Sequence, residues 1–586
     1  MKKYILGLAL LGTTLSSCTD FFEAGSTHVI YADHNHLNVA SDTIYSMIGI
    51  LNRLQAIGDR TVLLGEVRGD LMDVTDNTSS DLRDVAMFNV GDDNEYNVPR
   101  DYYAIINNCN YYIANADTAL KNNRNQYLFR AEYVAAKAIR AWTYLQLVTT
   151  YGSVPFVTEP ILTKEDSEKD YPMYDIKQVC DYFIFEDGLD ALVDEEYPTY
   201  GNIKGIPSKL FYIPMRLVLG DLNLWAGNYL TAAEYYYDYM YKSNTSHLYP
   251  TYTRGVRWAS STWTSWFDSY ISSFTDESSS ISSELIFMIP GDSIPSEGYY
   301  SELRGLVNTS SDNNYQISLT PSQSLIDLSA AQDYCFYQGN GDYIIAPKTL
   351  DDYQSGDLRL SHVWSTKENQ YNTTTNTRYT QQSIAKYQTR NIHLYRRQLV
   401  YLRLAEAMNC AGYPHFAFYV LSTGINNKIV QDSIRPYYNN PADSAVLSYF
   451  DFPNTLYDIV DPTVDLNRFA DDGNTQGIHS RGSGYTQFNE NYRMPNDTTI
   501  TDINELRAWQ MQKVEDLIVD EEALEFAFEG YRYYDLLRVA LRRSATDPNY
   551  LSDKIKNRRS GSDTGITADL TDMHNWFLHW NNQIGY

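Results

Sequence analysis

Apolar residues recur along most of this chain at helical spacing. Leu37, Ile44, Ile48, Leu51 and Leu54 fall near every 3.6 residues and predict a helix. Helical patterns follow at 100–120 and at 126–150, where Ala131, Ala135, Ala138 and Trp142 form a stripe. The second ends at Tyr151-Gly152, and Pro155 prevents its continuation. Over 209–241, helix formers run to Trp225, Gly227-Asn228 interrupts them, and a new helix starts at Tyr229 through Ala232, Ala233 and Tyr236. The same arrangement returns at 399–424: Leu402, Leu404, Ala405 and Ala407, then Ala411-Gly412, then Pro414, Ala417 and Leu421. A long amphipathic helix is expected over 504–543, with a break near Asp520 or Gly530. Val514, Leu517, Ile518, Leu524, Phe528 and Tyr531 mark its buried side.

Three stretches lack this periodicity. Residues 69–99 are dense in Asp, Asn, Ser and Thr and read as a long loop, a feature often tied to function. Residues 244–390 are rich in Ser, Thr, Asn, Gly and Tyr, with short strand-like runs at Leu285–Ile289 and 343–346; they read as an irregular insertion. Residues 431–505 are again loop-rich. The two helix hairpins share small residues at the turn and at the contact, and L-x-L-x-x-G-x-Y-x-x-A-x-x-Y from Leu222 to Tyr235 resembles a tetratricopeptide hairpin.

Composition narrows the function. Lys and Arg number 46 against 74 Asp and Glu, a formal charge of −28, which would repel a phosphate backbone and excludes nucleic-acid binding. At 43% hydrophobic, the chain buries a large core. Its 52 Tyr suit wet recognition surfaces, having an apolar face and a polar tip, although they also serve as ordinary packing residues. The first residues carry Lys2 and Lys3, an apolar run at 4–11 too short to span a bilayer, and then Leu15-Ser16-Ser17-Cys18. That sequence resembles a bacterial lipobox, which implies cleavage before Cys18 and its acylation, a stable anchor to a membrane. No other stretch is apolar enough to span a bilayer. Cys109, Cys180, Cys335 and Cys410 contain no C-x-x-C pair and read as buried free thiols, with their disulfide state left open.

Four motifs occur in order along the chain. They are Arg130-Ala131-Glu132 with Ala138-Ile139-Arg140-Ala141-Trp142-Thr143-Tyr144 and Tyr151-Gly152-Ser153-Val154-Pro155; Tyr401-Leu402-Arg403-Leu404-Ala405-Glu406-Ala407; Gly477-Ile478-His479-Ser480-Arg481-Gly482; and Glu525-Phe526-Ala527-Phe528-Glu529-Gly530-Tyr531-Arg532 with Asp535 and Arg538. Together these resemble the signatures of SusD/RagB nutrient-binding lipoproteins of the Bacteroidetes outer membrane. Asp520-Glu521-Glu522-Ala523 departs from the pattern, since many relatives carry a basic residue there. The resemblance implies a mainly α, SusD-like fold: tetratricopeptide-like hairpins plus a loop-rich insertion with short strands. It divides the chain into a leader at 1–17 and one domain at 18–586, with helical parts at 19–243 and 391–586 around the 244–390 insertion. It also implies a non-catalytic, lipid-anchored surface protein that binds oligosaccharide and delivers it to a SusC-like TonB-dependent transporter barrel. Peptide capture, as in RagB-like members, and surface glycoside hydrolysis are the alternatives.

The residues themselves allow several chemistries. Glu525 and Glu529 lie one helical turn apart, as paired catalytic carboxylates can, but Arg532 three residues after Glu529 and Arg538 three after Asp535 favour helix-surface ion pairs. His34-x-His36 has no third ligand nearby, and no metal site or cofactor is expected. Acidic turns at Asp92-Asp93-Asn94-Glu95 and Asp471-Asp472-Gly473-Asn474 can hold a structural Ca²⁺ but lack EF-hand spacing, so solvated turns are the reading adopted. Trp258, Trp263 and Trp266 sit among Ser and Thr, the mixture a sugar ring requires: flat apolar faces beside partners for its hydroxyls. If helical, Trp263 and Trp266 share a face; the competing role is anchoring the insertion. By position within the resembling family, Asp73, Asp76, Asn77, Arg83, Tyr96 and Asn97 are ligand candidates, with Tyr299, Tyr300 and Tyr315.

Overall fold

The computed structural model describes residues 40–242, 256–260, 263–266, 284–292, 294–308, 317–337, 343–345, 356–372, 377–425, 429–450 and 477–580. Cys18 and the leader, His34, His36, Tyr315 and the 471–474 turn lie outside the described residues.

The fold is mainly helical, with short two-stranded sheets, and is SusD-like. The first two helices are Ala40–Gln55 (α1) and Gly58–Glu66 (α2); the next, Pro99–Asn115 (α3), starts with Pro, which is preset for a first turn. α3 packs against Arg130–Tyr151 (α4). The two hairpins expected from the Gly-Asn and Ala-Gly breaks are present: Met215–Ala226 (α5) packs on Tyr229–Lys242 (α6), and Arg397–Cys410 (α7) on Pro414–Ser422 (α8). α6 also packs against α7, which joins the two hairpins into one helical stack. Ala232, Ala233, Tyr236, Leu402, Leu404 and Ala405 are fully buried, so the small residues do lie in the seams. One contiguous cluster of buried apolar side chains runs from Met47 to Leu578.

The last long helical stretch breaks once, at Gly530 and not at Asp520. Ile503–Phe526 (α9), N-capped by Asp502, is followed by Arg532–Arg543 (α10). At the break, Phe528 has φ +75° and Gly530 φ +94°. The buried Glu66 carboxylate accepts the Phe528 and Gly530 N–H groups at 3.1 and 2.8 Å, so α2 clamps this turn from the other side. A Cβ at Gly65 would sit 1.7 Å from the Gly530 carbonyl oxygen, so the two backbones touch directly.

Residues 69–99 are not one loop. They contain a strand, Met72–Val74, paired antiparallel with Leu319–Pro321, and a helix, Ser80–Ala86, capped by Ser79. Elements this short leave no periodicity for a sequence to display. In the insertion, Leu285–Ile289 is a strand, as expected, and pairs antiparallel with Ile392–Arg396, which leads into α7. Trp364–Asn372 and Thr377–Ile384 form a longer hairpin that had no recognisable pattern. Val256–Ser260 and Trp263–Trp266 form another, so the Trp-rich stretch is a β-hairpin and the shared helical face does not arise. No described helix is long and apolar enough to cross a membrane. Cys109, Cys180, Cys335 and Cys410 are free thiols; the first three are buried and Cys410 is half-buried.

The expected helix-surface ion pairs are corrected by the packing. Glu525 and Glu529 are buried, and their partners come from distant parts of the chain. Glu525 accepts from Arg359 at 2.9 Å, Arg481 at 3.0 Å and Arg396 at 3.1 Å. Glu529 accepts two bonds from Arg396, at 2.7 and 2.8 Å, and one from Lys386. Arg481 bonds Glu284 as well, and Arg359 bonds Asp357 and Glu521. Arg532 pairs not with Glu529 but with Asp70, at 2.6 and 2.9 Å. Only the Asp535–Arg538 pair, at 2.7 Å, has the predicted three-residue spacing, and it too is buried.

Candidate functional site

The predicted ligand residues fall into separate groups. Asp73 lies on the Met72–Val74 strand, opposite Thr320, and its carboxylate is held by Arg559 at 2.5 and 3.0 Å. Arg83 donates to the Thr75 carbonyl at 2.6 Å, and Asn77 reaches the Ile317 carbonyl at 3.4 Å. Asp76 and Asn77 are exposed. The structure thus gathers Asp73, Asn77 and Arg83 beside residues 317–320, but Asp73 and Arg83 are already engaged.

Tyr299 docks at the start of α2. Asp59 accepts the Tyr299 hydroxyl at 2.6 Å, the Ser301 hydroxyl at 2.6 Å and the Glu302 N–H at 2.8 Å. Burial and the nearby carboxylates of Glu95, Glu302 and Asp59 push the Tyr96 phenol well above its ordinary range. Tyr300 is half-buried against Arg390, whose guanidinium lies 3.5 Å from the ring centre and donates to the hydroxyl. These contacts tether the insertion to the helical core. The side chains of Trp258, Trp263 and Trp266 lie outside the described residues; their hairpin's first strand runs beside Ser480–Ser483.

A different surface has the form of a binding site. A groove of about 680 Å³ opens between residues 85–90, the end of α4 and the segment 573–580. Phe88, Phe577 and Trp580 present half-buried rings to it. Asn89, Ser153, His574, Asn575 and His579 supply hydrogen-bonding groups at its edge. Its floor is the buried Trp576, whose indole N–H donates to the Leu570 carbonyl at 2.8 Å, and the buried Arg68.

The rings are held in place before any ligand arrives. Phe577 lies flat on the end of α4: a Cβ at Gly152, where φ is +76°, would sit 2.8 Å from the Phe577 ring. Leu578 N–H donates to the Thr150 carbonyl at 3.0 Å. Trp580 stands edge-on to Tyr103 and Tyr151, at centroid distances of 5.8 and 5.5 Å. Phe88 occupies a left-handed conformation, φ +58°, costly for a non-glycine residue and frequent where a site imposes its geometry. The predicted Asn97 sits behind this wall, not in the groove. It is buried, donates to the Gly91 and His579 carbonyls at 3.3 and 3.2 Å, and accepts the Tyr151 hydroxyl at 3.0 Å. His574 and His579 are exposed at the rim and donate to Asp572 and Asp92, at 2.9 and 3.0 Å. Asp92 of the candidate Ca²⁺ turn is therefore engaged with His579. Among the described residues, no group of three His, Cys, Asp or Glu side chains is placed to hold a metal.

This groove escaped the sequence reading, although Met-His-Asn-Trp-Phe-Leu-His-Trp at 573–580 sets aromatic and imidazole rings beside an amide, as the 258–266 stretch sets rings beside hydroxyls. That composition is the signal that could have found it; the backbone of Phe88 leaves none.

Solved structures share the fold. The chain has the SusD-superfamily fold: it aligns with a SusD superfamily protein of Bacteroides vulgatus over 94% of this chain and 96% of that one, TM-score 0.54, 15% identity. It aligns likewise with a B. vulgatus protein described as a candidate sugar-binding protein, over 86% and 87%, TM-score 0.52, 19% identity. A curated SusD-like protein of Formosa agariphila is 31% identical over 165 residues, and the aligned part spans 27% of this chain and 31% of that relative's length. No protein-family model matches the chain.

Proposed function

We propose that this protein is a non-catalytic, surface-displayed oligosaccharide-binding protein, anchored through Cys18, that passes its ligand to a SusC-like TonB-dependent barrel. The observation that carries the reading is the groove at 573–580: fixed aromatic faces edged by amide, hydroxyl and imidazole groups. A pyranose presents C–H groups on one face and hydroxyls around its edge. Phe577 and Trp580 match the first, and Asn89, Asn575 and Ser153 the second. The candidate sugar-binding description of one structural neighbour supports the same reading.

The placement of the carboxylates supports binding without cleavage. Glycoside hydrolysis generally uses two carboxyl groups flanking the bond, and neither Asp nor Glu lines this groove. The adjacent pair Glu525 and Glu529 is buried and occupied by Arg359, Arg396, Arg481 and Lys386. Affinity electrophoresis against a polysaccharide panel, with a reducing-end assay on the same mixtures, tests this. Retardation by at least one polysaccharide, lost in Trp580→Ala, with no new reducing ends, is expected. Cleavage, or binding of peptides in place of glycans, contradicts it.

A further inference from the structure

Arg68 is the most unusual group in the groove. It is 1% exposed, yet takes part in no ion pair among the described residues. Of the other deeply buried arginines, Arg359, Arg396, Arg481 and Arg532 each face at least one carboxylate, while Arg558 donates to the Gly69, Val67 and Ala86 carbonyls. Arg68 donates to the Leu64 carbonyl at 2.8 Å, and only weakly to the Trp576 carbonyl at 3.5 Å and the Tyr534 hydroxyl at 3.3 Å. A guanidinium has five N–H donors, so these three bonds leave part of its capacity unused. The Tyr533 and Tyr534 rings, 4.0 and 5.5 Å from the guanidinium carbon, offset some of the burial cost but supply no negative charge.

The groove around it is also unusual for this chain. In a protein of formal charge −28, no Asp or Glu lines the groove, and two histidines stand at its rim. Asp572 and Asp92 accept from those histidines. A neutral sugar needs no such clearing of acids, whereas an anionic one does, because like charges in a partly desolvated cleft repel strongly.

We propose that the groove takes an acidic oligosaccharide, one whose carboxylate or sulfate lies towards Arg68 while its rings pack on Phe577 and Trp580. This rests on the sugar-capture reading above. The charge supplies discrimination and the rings supply area, so the two contributions are separable.

Titration calorimetry on the purified protein separates them with matched pairs. One pair is oligogalacturonate and the same oligomer after carboxyl reduction; the other is a sulfated galactan oligosaccharide and its desulfated form. The acidic member of at least one pair is expected to bind tenfold or more tightly than its neutral partner. Which pair shows the preference tells carboxylate from sulfate. Raising NaCl from about 50 to about 500 mM should weaken the acidic member selectively, because salt screens the attraction. Arg68→Met should bring the preference below about twofold; should that variant not fold, the wild-type pairs decide alone. Neutral members binding as tightly as acidic ones, in a manner that Trp580→Ala abolishes, overturn the acidic assignment and leave sugar capture standing. No member binding in a Trp580-dependent manner overturns both.

Discussion

Around Glu525 the chain buries acids against arginines; around Trp580 it leaves rings half-exposed beside neutral hydrogen-bonding groups. In the first region, the carboxylates of Glu284, Asp357, Glu521, Glu525 and Glu529 accept from Arg359, Lys386, Arg396 and Arg481. Burial alone would raise the Glu525 carboxyl, but Arg481, Arg396, Arg359 and Lys386 outweigh it and hold it well below the usual range. In the second, Phe88, Phe577 and Trp580 line the groove half-buried, and packing holds Phe577 and Trp580 in place. A saturated network has no capacity left for a ligand, however much it resembles a catalytic pair in sequence. An open, rigid, under-satisfied surface does have that capacity.

The largest expected effect breaks the first region. Glu525→Ala leaves three buried guanidinium groups without their shared acceptor, and should cost about 3–5 kcal/mol in chemical denaturation. Ligand affinity of the fraction still folded should be unchanged.

A second test uses pH. Burial raises the Glu66 carboxyl, and the N–H groups of Gly530 and Phe528 pull it back only in part, leaving it at about 7 against a reference of 4.5. The folded state therefore favours the protonated acid. Its contribution is fully present below pH 4.5 and is lost as pH rises through about 7. That displacement corresponds to ~3 kcal/mol. Glu66→Gln cannot ionise, so its stability relative to wild type should rise by about that amount between those two pH values. A difference independent of pH would mean that the Gly530 and Phe528 N–H groups offset the burial in full, contrary to a carboxyl raised by burial.

Gly152→Ala joins the two regions' logic at the end of α4. The added Cβ meets the Phe577 ring, and the positive φ disfavours it, at a cost of about 1–3 kcal/mol. Thermal melts should show the loss, and calorimetry should show weaker ligand binding, because Phe577 must move. The smallest effect read in binding is that of Phe577→Ala, which should lower affinity for the captured glycan about tenfold, ~1.4 kcal/mol, in calorimetry on the folded protein.

Much of the scaffold was legible because repeated contacts impose repeated spacing. The hairpins of α5–α6 and α7–α8 follow from Ala232, Ala233, Ala405 and Ala407 and from the breaks at Gly227 and Gly412. The break at Gly530 was also legible, but its clamp was not, since Glu66 is 464 residues away in sequence. The ion partners of Glu525 and Glu529 were misplaced for the same reason: local spacing suggested Arg532, and tertiary packing supplied Arg396 and Arg481. Trp263 and Trp266 would share a face only on a helix, and the backbone there is a hairpin. Of the predicted site residues, Asn97 supports the groove and Tyr299 bonds Asp59, but the rings at 573–580 were passed over. A groove is built from segments far apart in the chain, and no single window of sequence contains it.

The central claim is that residues 573–580 hold an intact sugar chain against Phe577 and Trp580. A crystal structure of the protein with an oligosaccharide that it retards in electrophoresis tests this most directly. The account predicts an uncleaved oligomer with at least one ring packed on Trp580 or Phe577. An oligomer bound at the 256–266 hairpin with the groove empty, or a cleaved one, would contradict it.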